Sequence, residues 1–187
     1  MAESQARGEQ PDRALLAAVP RRHLESALIV QRRRGRVALP ALEVGDLRDA
    51  HPGTEVYLYA HGADGRQLPA ATWRARLRRW APAEPDGRHP DDGDLLPPSL
   101  VEEMRVAREV IASAPQDQVT TADGERDRLA EGDRLAEGEA AGAYFEVEGL
   151  EELPKRDWLF TNELVSKGDR GARYFMPRVP VLVRLPD

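Results

Sequence analysis

Apolar and polar positions alternate with a period of two in two blocks, residues 54–80 and 143–185, and the stretch between them loses that pattern. In 54–60, Val56, Leu58 and Ala60 alternate with Glu55, Tyr57 and Tyr59, which predicts a strand leaving the Pro52-Gly53 turn. In 72–80, Trp73, Ala75 and Leu77 alternate with Arg74, Arg76 and Arg78, which predicts a second strand with a basic face. Arg79 and Trp80 break the phase, so a bulge or the end of the sheet is expected there, and Asp64-Gly65 supplies the turn between the two strands.

The flanking segments are read from shorter signals. Asp12 caps a short helix at 13–19 that Pro20 ends, and the apolar run 26–31 (SALIVQ) reads as the first strand. Pro40 and Gly45 leave 37–50 as a connector that packs on the core. Ser99 and Glu102 form a capping box for a helix at 99–114, whose apolar face is Leu100, Met104, Ala107 and Ile111. Residues 143–147 and the Trp158-Leu159-Phe160 group resume the β pattern, a short helical turn is expected at 162–165, and 173–176 with 179–185 give a closing strand broken by Pro177 and Pro180.

Charge divides along the same boundaries. Residues 20–80 hold 12 Lys/Arg and 6 Asp/Glu, residues 81–152 hold 6 and 20, and residues 153–187 hold 7 and 4, so the net charge of -6 comes from the middle segment. That segment also contains an identical tandem hexapeptide, DRLAEG, at 127–132 and 133–138; two copies of six residues make no solenoid, and they read as a duplication in a tolerant loop. The expected organisation is a disordered or short helical tail at 1–20, the first part of a β domain at 21–80, an acidic low-complexity insertion at 81–142 that carries the helix, and the second part of the domain at 143–187.

Short strands with one well-marked helix and no βα alternation predict an α+β, mainly β, fold: a small barrel or strongly bent antiparallel sheet with peripheral helices. The run Pro52-Gly53-Thr54-Glu55-Val56-Tyr57-Leu58-Tyr59, the strand at 72–79, and the later strand running to Leu153-Pro154 resemble the PUA-like superfamily, in particular its EVE and ASCH branches. The chain departs from that pattern in lacking a tryptophan before the first strand, in Thr54 where an aspartate is common, and in its long insertion. The resemblance implies a PUA-like β-barrel that recognises nucleic acid, DNA or RNA, by way of a modified or flipped base.

The residues compatible with that chemistry are two sets of arginines and a few aromatics. Arg32, Arg33, Arg34 and Arg36 follow the first apolar run, and Arg74, Arg76 and Arg78 share one strand face; both sets are candidate phosphate contacts, the alternative being a solvated face that keeps an edge from pairing. Tyr59, Trp80 and Trp158 each border a loop and are the candidate base pocket, although a small core consumes most aromatics.

No catalytic spacing is present. The four histidines lack metal-ligand intervals, His89-Pro90-Asp91-Asp92 reads as a turn, and there is no cysteine for a disulfide, zinc site or nucleophile. The chain is therefore read as a non-enzymatic, cofactor-free, cytoplasmic module with no membrane segment. A second reading makes it a protein-interaction or adaptor module whose acidic insertion mimics a polyanion or covers its own basic face. A third makes it a small-molecule pocket or hydrolase.

Overall fold

The computed structural model describes residues 13–61, 69–91, 93–113, 141–161, 164–166, 177 and 179–185. The chain runs β1 (Arg13–Pro20), α1 (Arg21–Arg34), β2 (Val37–Ala41), β3 (Glu55–His61), β4 (Ala70–Ala71), β5 (Trp73–Pro82), α2 (Pro98–Ser113), β6 (Ala143–Glu152), β7 (Leu159–Phe160), β8 (Val165–Ser166) and β9 (Val181–Arg184), with 3-10 turns at Gly45–Asp49, Gly93–Leu95 and Lys155–Asp157. Seven of the strands form one sheet in the order β2-β6-β5-β3-β1-β9-β8, and β4 pairs with β7 alongside it. The fold is mixed α+β, mainly strands, as the alternation predicts. The sheet bends until β2 comes near β1, but the two share no pairing among the described residues, so the barrel does not close. Nor is the sheet wholly antiparallel, because β1 runs parallel to β3.

The concave side carries the main core. Leu15, Ala17 and Val19 of β1, Val37 and Leu39 of β2, Val56 and Leu58 of β3, Trp73, Ala75 and Leu77 of β5, and Phe145 and Val147 of β6 meet there with Leu24, Ala27 and Val30 of α1. Every second strand residue thus lands in one cluster, which is what the period of two requires. The opposite face of β1, β3 and β9 is covered by Leu153, Trp158, Leu159 and Leu164. Outside β2 and β6, Ala38 and Tyr144 are covered by Leu95, Leu96 and Leu100.

Three expectations from the N-terminal third are overturned. Residues 13–20, read as tail and short helix, form β1 near the middle of the sheet, paired with β3 on one side and β9 on the other. The run Ala14-Leu15-Leu16-Ala17 is buried on both faces, and continuous apolarity cannot by itself distinguish such a strand from a helix. The apolar run at 26–31, read as a strand, lies inside α1, because His23, Leu24, Ala27 and Val30 make a buried helical stripe when the window is widened. Gly35, at φ 74, ends that helix with its N–H on the Gln31 carbonyl at 2.7 Å, and Arg32, Arg33 and Arg34 suit the negative end of its dipole. Finally, 37–41 of the expected connector is an edge strand, β2.

The later elements follow the pattern more closely. β3 and β5 occupy the predicted positions, and the strand register shifts between Leu77 and Arg79, where the sequence breaks phase. α2 matches the predicted helix, but the capping box does not form: Ser99 turns its hydroxyl to α1, and Glu102 accepts from Arg105 at 2.6 Å. The turn at Asp64-Gly65, the tandem hexapeptide, Asn162 and Glu163 of the expected helical turn, and 173–176 lie outside the described residues. No helix among the described residues is long and apolar enough to cross a membrane.

Candidate functional site

The two arginine sets reach the surface in different electrostatic settings. On β5, Arg74, Arg76 and Arg78 are exposed while Trp73, Ala75 and Leu77 are buried, so the predicted basic face exists. The neighbouring strand answers it with acids. Arg74 donates to Glu151 from Nε at 3.1 Å and from Nη2 at 2.6 Å, and Arg78 donates to Glu148 at 2.7 Å. Arg76 has no ion pair among the described residues but stands in register with Glu55 of β3 on one side and Glu148 of β6 on the other. Two of the three arginines are thereby paired with a glutamate ladder and the third stands between glutamates, an arrangement in which cross-strand pairs stabilise the sheet. Hydrogen bonds donated to Glu151 raise the Arg74 pKa above its ordinary value, reinforcing a charge that is already permanent.

At the end of the same two strands lies a buried carboxylate absent from the sequence-based candidates. Glu146 is 1% exposed. Its Oε1 accepts from Arg79 Nε at 2.6 Å and lies 3.6 Å from His89 Nε2, and Arg36 Nε lies 3.6 Å from Oε2. Arg79 also reaches Asp91 at 2.8 Å. Removing a carboxylate from water demands such compensation, so Arg36 and Arg79, still 40% and 45% exposed, are tied to Glu146 within the fold. Glu146 escaped notice because strand alternation aims it outward; only the overlying loop with His89 buries it. Nothing local in the sequence signals that cover. His89 sits in a turn, with Nδ1 accepting from the Asp91 N–H at 3.3 Å, and no group of His, Asp and Glu among the described residues could hold a metal ion.

The C-terminal turn of α1 is different. Arg32, Arg33 and Arg34 are all exposed on a helix anchored by Leu24, Ala27 and Val30, and Gln31 fixes that end further by exchanging two hydrogen bonds with the Leu150 backbone at 3.0 and 2.6 Å. Arg34 pairs with Asp94 at 2.6 Å. Arg32 and Arg33 carry no ion pair among the described residues. They are the least compensated cations of the candidate set, and they stand on a rigid element.

Towards its other end, α1 receives α2 through polar contacts. Arg22 donates to Glu103 at 2.6 Å; His23, buried, has Nδ1 2.8 Å from Ser99 Oγ and Nε2 3.2 Å from Glu103; and the hydroxyls of Ser26 and Ser99 lie 2.7 Å apart. The three side-chain types of a hydrolytic triad are present, but Ser99 Oγ also donates to the Arg22 carbonyl at 3.1 Å, and His23 is 2% exposed. The hydroxyl is engaged on three sides, and the histidine is closed to substrate. This is a helix-docking network. A histidine followed by the stripe Leu24, Ala27, Val30 could have been read as an interior histidine once the segment was recognised as helical.

The aromatic candidates are not brought together. Tyr59 is buried in the cluster that Trp158 also packs against, with its hydroxyl donating to the Pro177 carbonyl and the Trp158 indole donating to the Leu153 carbonyl at 3.0 Å. Trp80 packs instead on the main core, in register with Phe145. Both polar ends in the first pair are engaged, so these rings behave as core.

No family model matches the chain, and no curated protein or solved structure proved similar to it.

Proposed function

We propose that this protein is a non-enzymatic nucleic-acid-binding module that holds the phosphate backbone with the C-terminal turn of α1. The observation that carries the reading is the pair Arg32 and Arg33: two exposed arginines without acidic partners among the described residues, on a helix end pinned to the core, beside Arg34. Permanent cations held in fixed positions bind a polyanion by releasing its counterions, whatever its sequence. The β5 arginines take part only by exchanging Glu148 and Glu151 for phosphate, which makes them secondary contacts. A PUA-like ancestry belongs to the same proposal and draws its support from the bent sheet and the residues that resemble that superfamily.

The test is fluorescence anisotropy with labelled single- and double-stranded oligonucleotides of DNA and RNA. Arg32→Glu with Arg33→Glu is expected to weaken binding at least tenfold, with the fold retained at a cost of about 1–2 kcal/mol from the lost helix-end charges. Equal affinity of the variant and the parent protein would overturn the assignment. The adaptor reading also has an observation in its favour, since acids of the inserted segment, Asp94 and Glu103, sit on α1 arginines.

A further inference from the structure

Besides Glu152 of β6, which lies 4.0 Å from Arg21, two acids that touch α1 come from one short stretch of the chain. Asp94, in the 3-10 turn Gly93–Leu95, takes Arg34, and Glu103, in the second turn of α2, takes Arg22; both bonds are 2.6 Å long. Two carboxylates therefore sit at opposite ends of a basic helix, on guanidinium groups that would otherwise face water: Arg22 and Arg34 remain 55% and 52% exposed. The segment has an apolar anchor away from α1. Leu95, Leu96, Leu100 and Met104 pack on Ala38 and Tyr144, whereas Val106 and Val110 beyond them are 45% and 61% exposed. The contact with α1 itself is polar throughout, made of Arg22, His23, Ser26, Ser99 and Glu103. The Arg34–Asp94 pair is exposed at both ends and Arg22 is exposed at its end of the other pair, so both are screened by salt and open to a competing anion, although Glu103 is only 21% exposed and also lies 3.2 Å from His23.

We infer that Asp94 and Glu103 act as an intramolecular cover, carboxylate substitutes for phosphate that occupy part of the α1 surface and give up their arginines when a nucleic acid binds, while Leu95, Leu96 and Leu100 stay packed. The inference rests on the α1 binding surface proposed above. It places the cover inside the acidic insertion at 81–142, in the turn and helix that open it. The acidic low-complexity stretch around the tandem hexapeptide lies outside the described residues, while the carboxylates in contact belong to the better-defined helix and the turn before it. Charge alone does not make a cover. Glu102 and Glu109 of the same helix bind Arg105 within α2 and do not reach α1.

That contrast supplies the experiment. Binding of a labelled 20-nucleotide thymidine strand is measured for the parent protein, for Asp94→Asn with Glu103→Gln, and for the charge-matched control Glu102→Gln with Glu109→Gln. The first variant is expected to bind about tenfold more tightly, about threefold for each exposed pair released, and the control should gain less than twofold. Hydrogen exchange of α2 amides in the parent protein should accelerate when the strand is added. Equal gains in both variants would reduce the effect to net charge and overturn the cover; unchanged affinity in the first variant, with binding still detectable, would overturn the cover and leave the α1 surface standing. Loss of binding in all three proteins would overturn both.

Discussion

Reversing Arg74 distinguishes a basic face that binds from one that holds the sheet together. In the folded protein its guanidinium makes two hydrogen bonds to Glu151 across the β5–β6 pairing, with the two side chains 44% and 55% exposed. At that exposure the pair contributes about 0.5–1 kcal/mol, because water competes for both ends. A glutamate at position 74 loses that contribution and places a like charge opposite Glu151 and close to Glu55, which opposes Arg76 on the adjacent strand. Cross-strand repulsion adds roughly 0.5–1 kcal/mol. The expected cost of Arg74→Glu is therefore about 1–2 kcal/mol, or a fall in melting temperature of roughly 5 °C for a domain of this size. Urea denaturation followed by tryptophan fluorescence measures it, and the swapped pair Arg74→Glu with Glu151→Arg should recover about 1 kcal/mol. Oligonucleotide affinity of the single variant should stay within about threefold of the parent. Should Arg74→Glu leave stability untouched yet abolish binding, the strand face would be the phosphate contact and the assignment to α1 would be wrong.

Three further outcomes follow from the same geometry. Removing Arg32 and Arg33 should make the slope of log affinity against log salt shallower by about 1.4 on single strands and about 1.8 on duplex, two contacts at the usual increments; an unchanged slope would show that neither touches phosphate. Burial pushes the Tyr144 hydroxyl up to about 12, with the phenol donating to the Gly87 carbonyl at 2.5 Å. Since the folded value lies above the ordinary 10, the protonated phenol's contribution, about 3 kcal/mol, is complete below pH 10 and lost as pH rises through 12. Phenolate absorbance should show a late-titrating component that Tyr144→Phe diminishes, distinct from Tyr57, whose hydroxyl burial also pushes up; no change in Tyr144→Phe would refute the burial argument. Gly45→Ala should cost about 2–4 kcal/mol in urea unfolding, because φ is 49 and an added Cβ would overlap the Pro180 carbonyl oxygen, whereas Gly35→Ala, at φ 74 in open space, should cost about 1 kcal/mol; equal costs would mean that the close approach carries nothing.

Local periodicity made the central part of the fold legible. β3 and β5 were readable because alternate residues enter one core, the register shift at Arg79 because the alternation fails there, and α2 because Leu100 and Met104 recur at helical spacing. The N-terminal third resisted the same treatment. A strand buried on both faces has no polar side to report its period, so β1 passed for a helix; an amphipathic helix with Leu28, Ile29 and Val30 in succession passed for a strand. Of the candidate residues, the exposure of Arg32, Arg33, Arg74, Arg76 and Arg78 agreed with the pattern, while the grouping of Tyr59, Trp80 and Trp158 did not, because nearness to a loop in sequence places no side chain on a shared face.

By itself the sequence determined which residues alternate, where charge of each sign accumulates, and which chemistries lack their residues. It could not determine how the charges pair. Glu146, Glu148 and Glu151 neutralise β5, and Asp94 and Glu103 settle on α1, only because the chain returns from distant positions to lie beside those arginines. Coulomb attraction depends on separation in space and on the water between the charges, and neither quantity is written in the order of residues. The sheet order and the docking of α2 therefore decided which arginines are partnered within the fold and left Arg32 and Arg33 exposed with no ion pair among the described residues.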